Sequence, residues 1–77
     1  MEVKVILFGK LIEITGSAAF TFNNVADTAQ LNQQLLSRYP ALNGYPYVIA
    51  VEKEIIHSNT PLKHNDTVAL LPPYAGG

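Results

Sequence analysis

Hydrophobic and polar positions change period along this chain, and the changes mark its elements. Glu2 to Phe8 (EVKVILF) alternates, with Val3, Val5 and Leu7 on one face and Lys4, Ile6 and Phe8 on the other. That pattern predicts a strand whose second face is itself largely apolar. Gly9 and Gly16 bracket Lys10 to Thr15, which is too short and punctuated for a long helix and predicts a helical turn within a connection. A second strand is expected near Ala18 to Phe22, with Phe20 and Phe22 on one face. Asn23 and Asn24 end it. Asp27 followed by Gln30 is a capping-box pattern, with Ala26 and Leu31 as its staple, and Leu31, Leu35 and Tyr39 then recur at helical spacing beside Leu36. Pro40 stops that helix. After turn residues Asn43, Gly44 and Pro46 come a strand at Tyr47 to Val51, a polar turn at Glu52, Lys53 and Glu54, and a short strand at Ile55 and Ile56. Pro61 and the group His64, Asn65, Asp66 precede a last strand, Thr67 to Leu71, closed by Pro72 and Pro73.

The order strand, strand, helix, strand, short strand, strand predicts an α+β fold, a mixed sheet with one main helix packed on one face. Strands on either side of a crossover helix can pair in parallel, and the first and last are apolar enough to be central. Parity then sets Phe8 and Leu71, with Ile6 and Ala69, opposite the core-facing Val5, Leu7, Val68 and Leu70. One helix cannot cover both faces. Either a loop folds over the second one, or Phe8, Ile55 and Leu71 form an apolar docking patch.

At 77 residues the chain is expected to be one domain over 1–77, and 48% hydrophobic with 14% charged residues excludes intrinsic disorder. A net charge of −1 with scattered lysines and one arginine argues against nucleic acid as a partner. There is neither a signal-peptide pattern nor an apolar run long enough for a membrane span, so a soluble, cytoplasmic protein is expected, with no membrane partner. Cysteine is absent, which rules out disulfides, thiolate metal sites and any group carried on a cysteine sulfur. His57 and His64 lack a third metal ligand at useful spacing, so no metal is expected. Glu52 and Glu54 flank Lys53 as a solvated tip does, rather than as a catalytic carboxylate pair.

The end, Pro72-Pro73-Tyr74-Ala75-Gly76-Gly77, is the most informative segment. Two prolines and two glycines at these set positions arise by chance about once in 10⁵ at average usage. The prolines cannot extend the last strand, so a flexible tail is expected to project from the body, and the glycines make it slim enough for a narrow cleft. A terminal Gly-Gly alone is equally compatible with a frayed end.

Taken whole, the chain resembles the small subunit of molybdopterin synthase, in the MoaD-like branch of the ubiquitin-like sulfur carriers. The likeness rests on Phe8-Gly9-Lys10-Leu11-Ile12-Glu13 with Gly16, against that family's Phe-Ala-x-Leu-Arg-Glu opening, on Ala50-Val51, on Asp66-x-Val68-Ala69-Leu70-Leu71, and above all on the Pro-Pro-x-x-Gly-Gly end. Ile12, Glu52 and Asn65 stand where the family often has Arg, Asn and Gly, the first two bearing on polar contacts with a partner. Related thiamine-pathway carriers also end in Gly-Gly but usually lack the opening segment and the Pro-Pro step. They rank second, beside a ubiquitin-like protein modifier.

The resemblance implies a ubiquitin-like β-grasp fold and a carrier with no bound cofactor. ATP would be used by a ubiquitin-activating-like adenylyltransferase on the Gly77 carboxylate, and sulfur would follow to give a thiocarboxylate for a cyclic pyranopterin precursor. It implies a large catalytic subunit as partner, in a heterotetramer, holding the acid-base residues, so that this chain is not an enzyme on its own. Gly77 and Gly76 would carry and deliver the group, while Phe8, Ile55, Leu71, Pro72, Pro73 and Tyr74 would meet the partner.

Overall fold

In the computed structural model, which describes residues 2–72, five strands form one sheet in the order β2-β1-β5-β3-β4. They are β1 (Glu2–Leu7), β2 (Ala19–Asn23), β3 (Val48–Val51), β4 (Glu54–Ile56) and β5 (Thr67–Leu71). The helices are α1 (Lys10–Thr15) and the longer α2 (Thr28–Arg38), followed by a 3₁₀ turn at Pro40–Leu42. β1 and β5 pair in parallel at the centre, Val5 opposite Val68 and Leu7 opposite Leu70, and the other pairings are antiparallel. This is the expected mixed sheet with one main helix.

The helix begins where the capping box places it. Asp27 Oδ1 accepts the Gln30 N–H at 2.9 Å and Gln30 Oε1 accepts the Ala26 N–H at 2.9 Å, the reciprocal pair that satisfies orphan donors. The remaining first-turn donors go to Thr60 O, Asn59 Oδ1 and Asp27 O. The staple is not the expected one: Ala26 is exposed, and its neighbour Val25, fully buried, fills the core there. A methyl group is too small to anchor the chain's entry; an isopropyl group one residue earlier does so.

Three boundaries move. β2 begins at Ala19 and ends at Asn23, where Asn24 turns the chain at φ 62. Tyr47 precedes β3, whose pairing begins at Val48, and its hydroxyl donates to Asn32 Oδ1 on α2. Glu54 belongs to β4 opposite Val51, leaving a two-residue turn at Glu52 and Lys53. The core lies between the sheet and α2 and includes Val3, Val5, Leu7, Leu31, Leu35, Val68 and Leu70. Leu11 of α1, Leu42 of the 3₁₀ turn and Leu62 before β5 close its margins.

Candidate docking face and tail root

The sheet's second face is built by cross-strand rows. One row runs Ala19, Ile6, Ala69, Ala50 and Ile55 across all five strands, and in the next Leu71 lies opposite Val48. Phe8 follows β1 with its N–H still donating to Leu70 O at 3.2 Å, so the alternation carries one residue further and sets Phe8 on this face beside Leu71. Phe8 is 44% exposed and Ile55 55%, while Ile6, Ala69 and Leu71 are half-buried. Side chains this open are not roofed by a loop. The face becomes polar toward the other end of the sheet, where Lys4 lies between Thr21 and Thr67.

Leu71 and Pro72 are the last described residues of the tail, and their seat is specific. A Cβ on Gly9 would stand 3.0 Å from Pro72 Cγ, and Gly9 holds φ 59 and ψ −132. Only glycine takes that backbone without strain, and only a residue lacking Cβ leaves room for the proline ring. Gly9 also opens α1, whose Ile12 N–H donates to Gly9 O at 3.1 Å. The entry to α1 and the exit from β5 are thus locked together. Sequence reading treats Gly9 only as a breaker; the signal that could have found its second role is the proline closing the neighbouring parallel strand. Of the expected site residues, Phe8, Ile55 and Leu71 therefore share one face, with Pro72 beside Gly9 at its Phe8–Leu71 end, whereas Pro73, Tyr74, Gly76 and Gly77 lie outside the described residues.

The departures from the family pattern are partly explained by backbone. Glu52 and Lys53 hold φ 49 and 72, and Glu52 Oε2 accepts the Thr67 N–H at 2.7 Å. Its position is a hairpin turn, where positive φ favours Asn. Asn65 holds φ 69, a left-handed position that Asn and Gly enter most readily. His64 Nδ1 accepts the Glu2 N–H at 3.0 Å, a turn contact at the start of β1. Among the described residues no group of three or more His, Cys, Asp or Glu could hold a metal ion, and no helix is long and apolar enough to cross a membrane.

A model of the ThiS family matches residues 5–77. The chain is 32% identical over 83 aligned positions, covering all of both proteins, to a molybdopterin synthase sulfur carrier subunit of Chlamydomonas reinhardtii. It is also similar, at 31% identity, TM-score 0.75 and full coverage of both chains, to a chain in the solved complex of subunits 1 and 2 of molybdopterin-converting factor from Helicobacter pylori. The solution structure of small archaeal modifier protein 1 from Methanosarcina acetivorans aligns at TM-score 0.84 and 26% identity, over 99% of this chain and 96% of that one.

Proposed function

The chain belongs to the ThiS family, and on that premise we propose that it is the sulfur carrier subunit of a molybdopterin synthase, with Gly77 as the carrying residue. The observation that carries this is the match to a sulfur carrier subunit over the whole chain, at 32% identity. The geometry supports it: the apolar face running from Ile55 to Phe8 ends at the root of the tail, so a partner that docks on the face receives the tail in one fixed direction.

The chemistry follows from a chain without cysteine. The Gly77 carboxylate attacks the α-phosphorus of ATP in an adenylyltransferase, releasing pyrophosphate and forming an acyl adenylate. A sulfide-level donor then displaces AMP and leaves a thiocarboxylate. Its sulfur adds to a cyclic pyranopterin precursor in the partner, and water returns the tail to the carboxylate. Gly76 and Gly77 present the acyl carbon without side chains beside it. The large subunit supplies the acid-base groups, and the pair assembles as a heterotetramer.

Mass spectrometry of the chain co-produced with its activating enzyme tests this, the expected result being replacement of one oxygen by sulfur at the C-terminus. Deleting Gly77 shortens the reach by about 3.5 Å. A misplacement of about 1 Å can already cost a hundredfold in rate, so sulfur transfer by the deletion variant should fall to background. Transfer at the intact rate by this variant, or by one extended with alanine, would overturn the assignment. The likeness to small archaeal modifier protein 1 favours a second reading, a tail joined to lysines of other proteins. Gly77-linked isopeptides in digests, in place of thiocarboxylate, would select it.

A further inference from the structure

The sheet's two edges are protected differently. β4 is three residues long and begins with Glu54, and shortness and charge both discourage pairing with a further strand. β2 has five residues, Ala-Phe-Thr-Phe-Asn, with neither proline nor charge, and no charged residue stands between Glu13 and Asp27. Its sequence favours a strand and does nothing to repel one.

Which backbone groups β2 turns outward follows from its pairing with β1. The Leu7 N–H donates to Ala18 O at 2.8 Å, so those two residues are a hydrogen-bonded pair, and alternation makes Val5 with Phe20 and Val3 with Phe22 the next ones. Lys4, opposite Thr21, agrees: its N–H donates away from β2, to Asp66 O at 2.9 Å. The N–H and C=O groups of Ala19, Thr21 and Asn23 therefore point off the edge. Ser17 Oγ accepts the Ala19 N–H at 3.4 Å and donates to Ala19 O at 3.0 Å, whereas the main-chain groups of Thr21 have no partner among the described residues.

This edge is complementary to itself. Laid antiparallel about Thr21, two copies match Thr21 with Thr21 and Ala19 with Asn23 as bonded pairs, and Phe20 with Phe22 as the closer, non-bonded pairs in which side chains meet best. A shift of two residues either way loses one bonded pair. On the α2 side Phe20 is half-buried, its ring centroid 5.1 Å from Tyr39 and 6.3 Å from Phe22, so the match joins two aromatic clusters. On the open side it brings together only Ala19, Thr21 and Asn23, which are exposed and uncharged. We propose that β2 pairs in this register with β2 of a second copy of the chain, making one continuous sheet across a two-fold axis at Thr21. The exposed Ser17 hydroxyl releases Ala19 as the flanking bonds form. A five-residue edge buries less than the roughly 1,200–2,000 Å² of stable interfaces, so the pair is weak and fills at high concentration. It lies in the plane of the sheet and covers neither face, so Phe8, Ile55 and Leu71 stay open in both copies.

Sedimentation velocity on the intact chain, from micromolar to millimolar concentration, tests this. The expected result is an average mass that rises from that of one chain toward that of two. At the upper end the Thr21 amide should gain protection from hydrogen exchange. A sample mixing labelled and unlabelled chains should then show cross-relaxation between the Phe20 α proton of one copy and the Phe22 α proton of the other. Thr21→Lys sets two like charges face to face and should weaken association about tenfold, while Thr21→Val, equally suited to a strand, should keep it. The mass of one chain at every concentration overturns the proposal. So does association that Phe8→Lys abolishes and Thr21→Lys leaves intact, because the contact then lies on the open face. So does association without the Phe20 to Phe22 signal, because the contact is then not this register of β2.

Discussion

The two faces of the sheet are one residue apart in sequence and opposite in consequence. Toward α2, Val3, Val5, Leu7, Val68 and Leu70 are at most 1% exposed, whereas on the other side Phe8 and Ile55 are 44% and 55% exposed. Alternation along the same strands makes both faces apolar, but a single helix covers only one. The covered face holds the fold together; the open face leaves apolar area exposed, which the carrier reading assigns to a partner. Fully burying one large aliphatic or aromatic side chain is worth about 1.5–3 kcal/mol, and each face draws on that energy at a different moment, folding or association.

The largest expected effect breaks the covered face. Leu35→Ala, at a fully buried position on α2, should cost about 3 kcal/mol in denaturant unfolding, because it removes apolar contacts and leaves a cavity. Ile55→Ala, on the open face, should stay within about 0.5 kcal/mol of the parent. Equal losses would mean that the two faces do the same work.

The next effect breaks the open face alone. Phe8→Lys and Leu71→Glu should each weaken binding to the large subunit about a hundredfold, near 2.7 kcal/mol, by placing an unpaired charge at an apolar contact. Phe8→Lys should keep the parent's unfolding midpoint. Calorimetric titration beside circular dichroism separates the two readouts, and parent-like affinity in a folded variant would remove this face as the dock.

How far the sequence reveals this division depends on periodicity. Val5, Leu7, Val68 and Leu70 can be assigned to the core from alternation, and Asp27 with Gln30 marks the helix start, because those signals are local and repeat. Leu11, Leu42 and Leu62 sit in elements or connections too short to show a period, and only the folded chain brings them to the core margin. That Phe8, Ile55 and Leu71 stand on the open face is legible from parity. The seat of Pro72 on Gly9 is not, for it joins residues 63 positions apart through a parallel pairing that no local pattern encodes.

That seat links the two faces' shared end, and Gly9→Ala tests how firmly. The backbone at φ 59 and ψ −132 costs a non-glycine residue about 1–3 kcal/mol, and the new Cβ would press on Pro72 Cγ at 3.0 Å. A loss of about 1–2 kcal/mol in stability is expected. Combining it with Pro72→Ala should recover the part due to the ring contact, as a double-mutant cycle reads it. If the two losses simply add, Pro72 does not rest on Gly9.

The smallest effect lies at the opposite end of the sheet, and it should strengthen the fold without touching the dock. Glu52 and Lys53 form the two-residue β3–β4 turn with both φ values positive, 49 and 72. Side chains other than Asn, Asp and Gly enter that region at a cost of about 1–2 kcal/mol each. The same turn geometry is what Asn-Gly supplies in tight hairpins. Glu52 offsets its share by accepting the Thr67 N–H at 2.7 Å; Lys53, exposed, has no such compensation among the described residues. Lys53→Gly should therefore stabilise the chain by about 0.5–1 kcal/mol, the relief of the left-handed strain less the extra entropy that glycine gives the unfolded chain. Thermal unfolding should show a rise of a few degrees, while affinity for the large subunit stays that of the parent, because Val51 pairs with Val68 at this end and Val48 with Leu71 at the tail's. A change in affinity would mean that stability and docking are coupled through β3, and the two faces would then be one system.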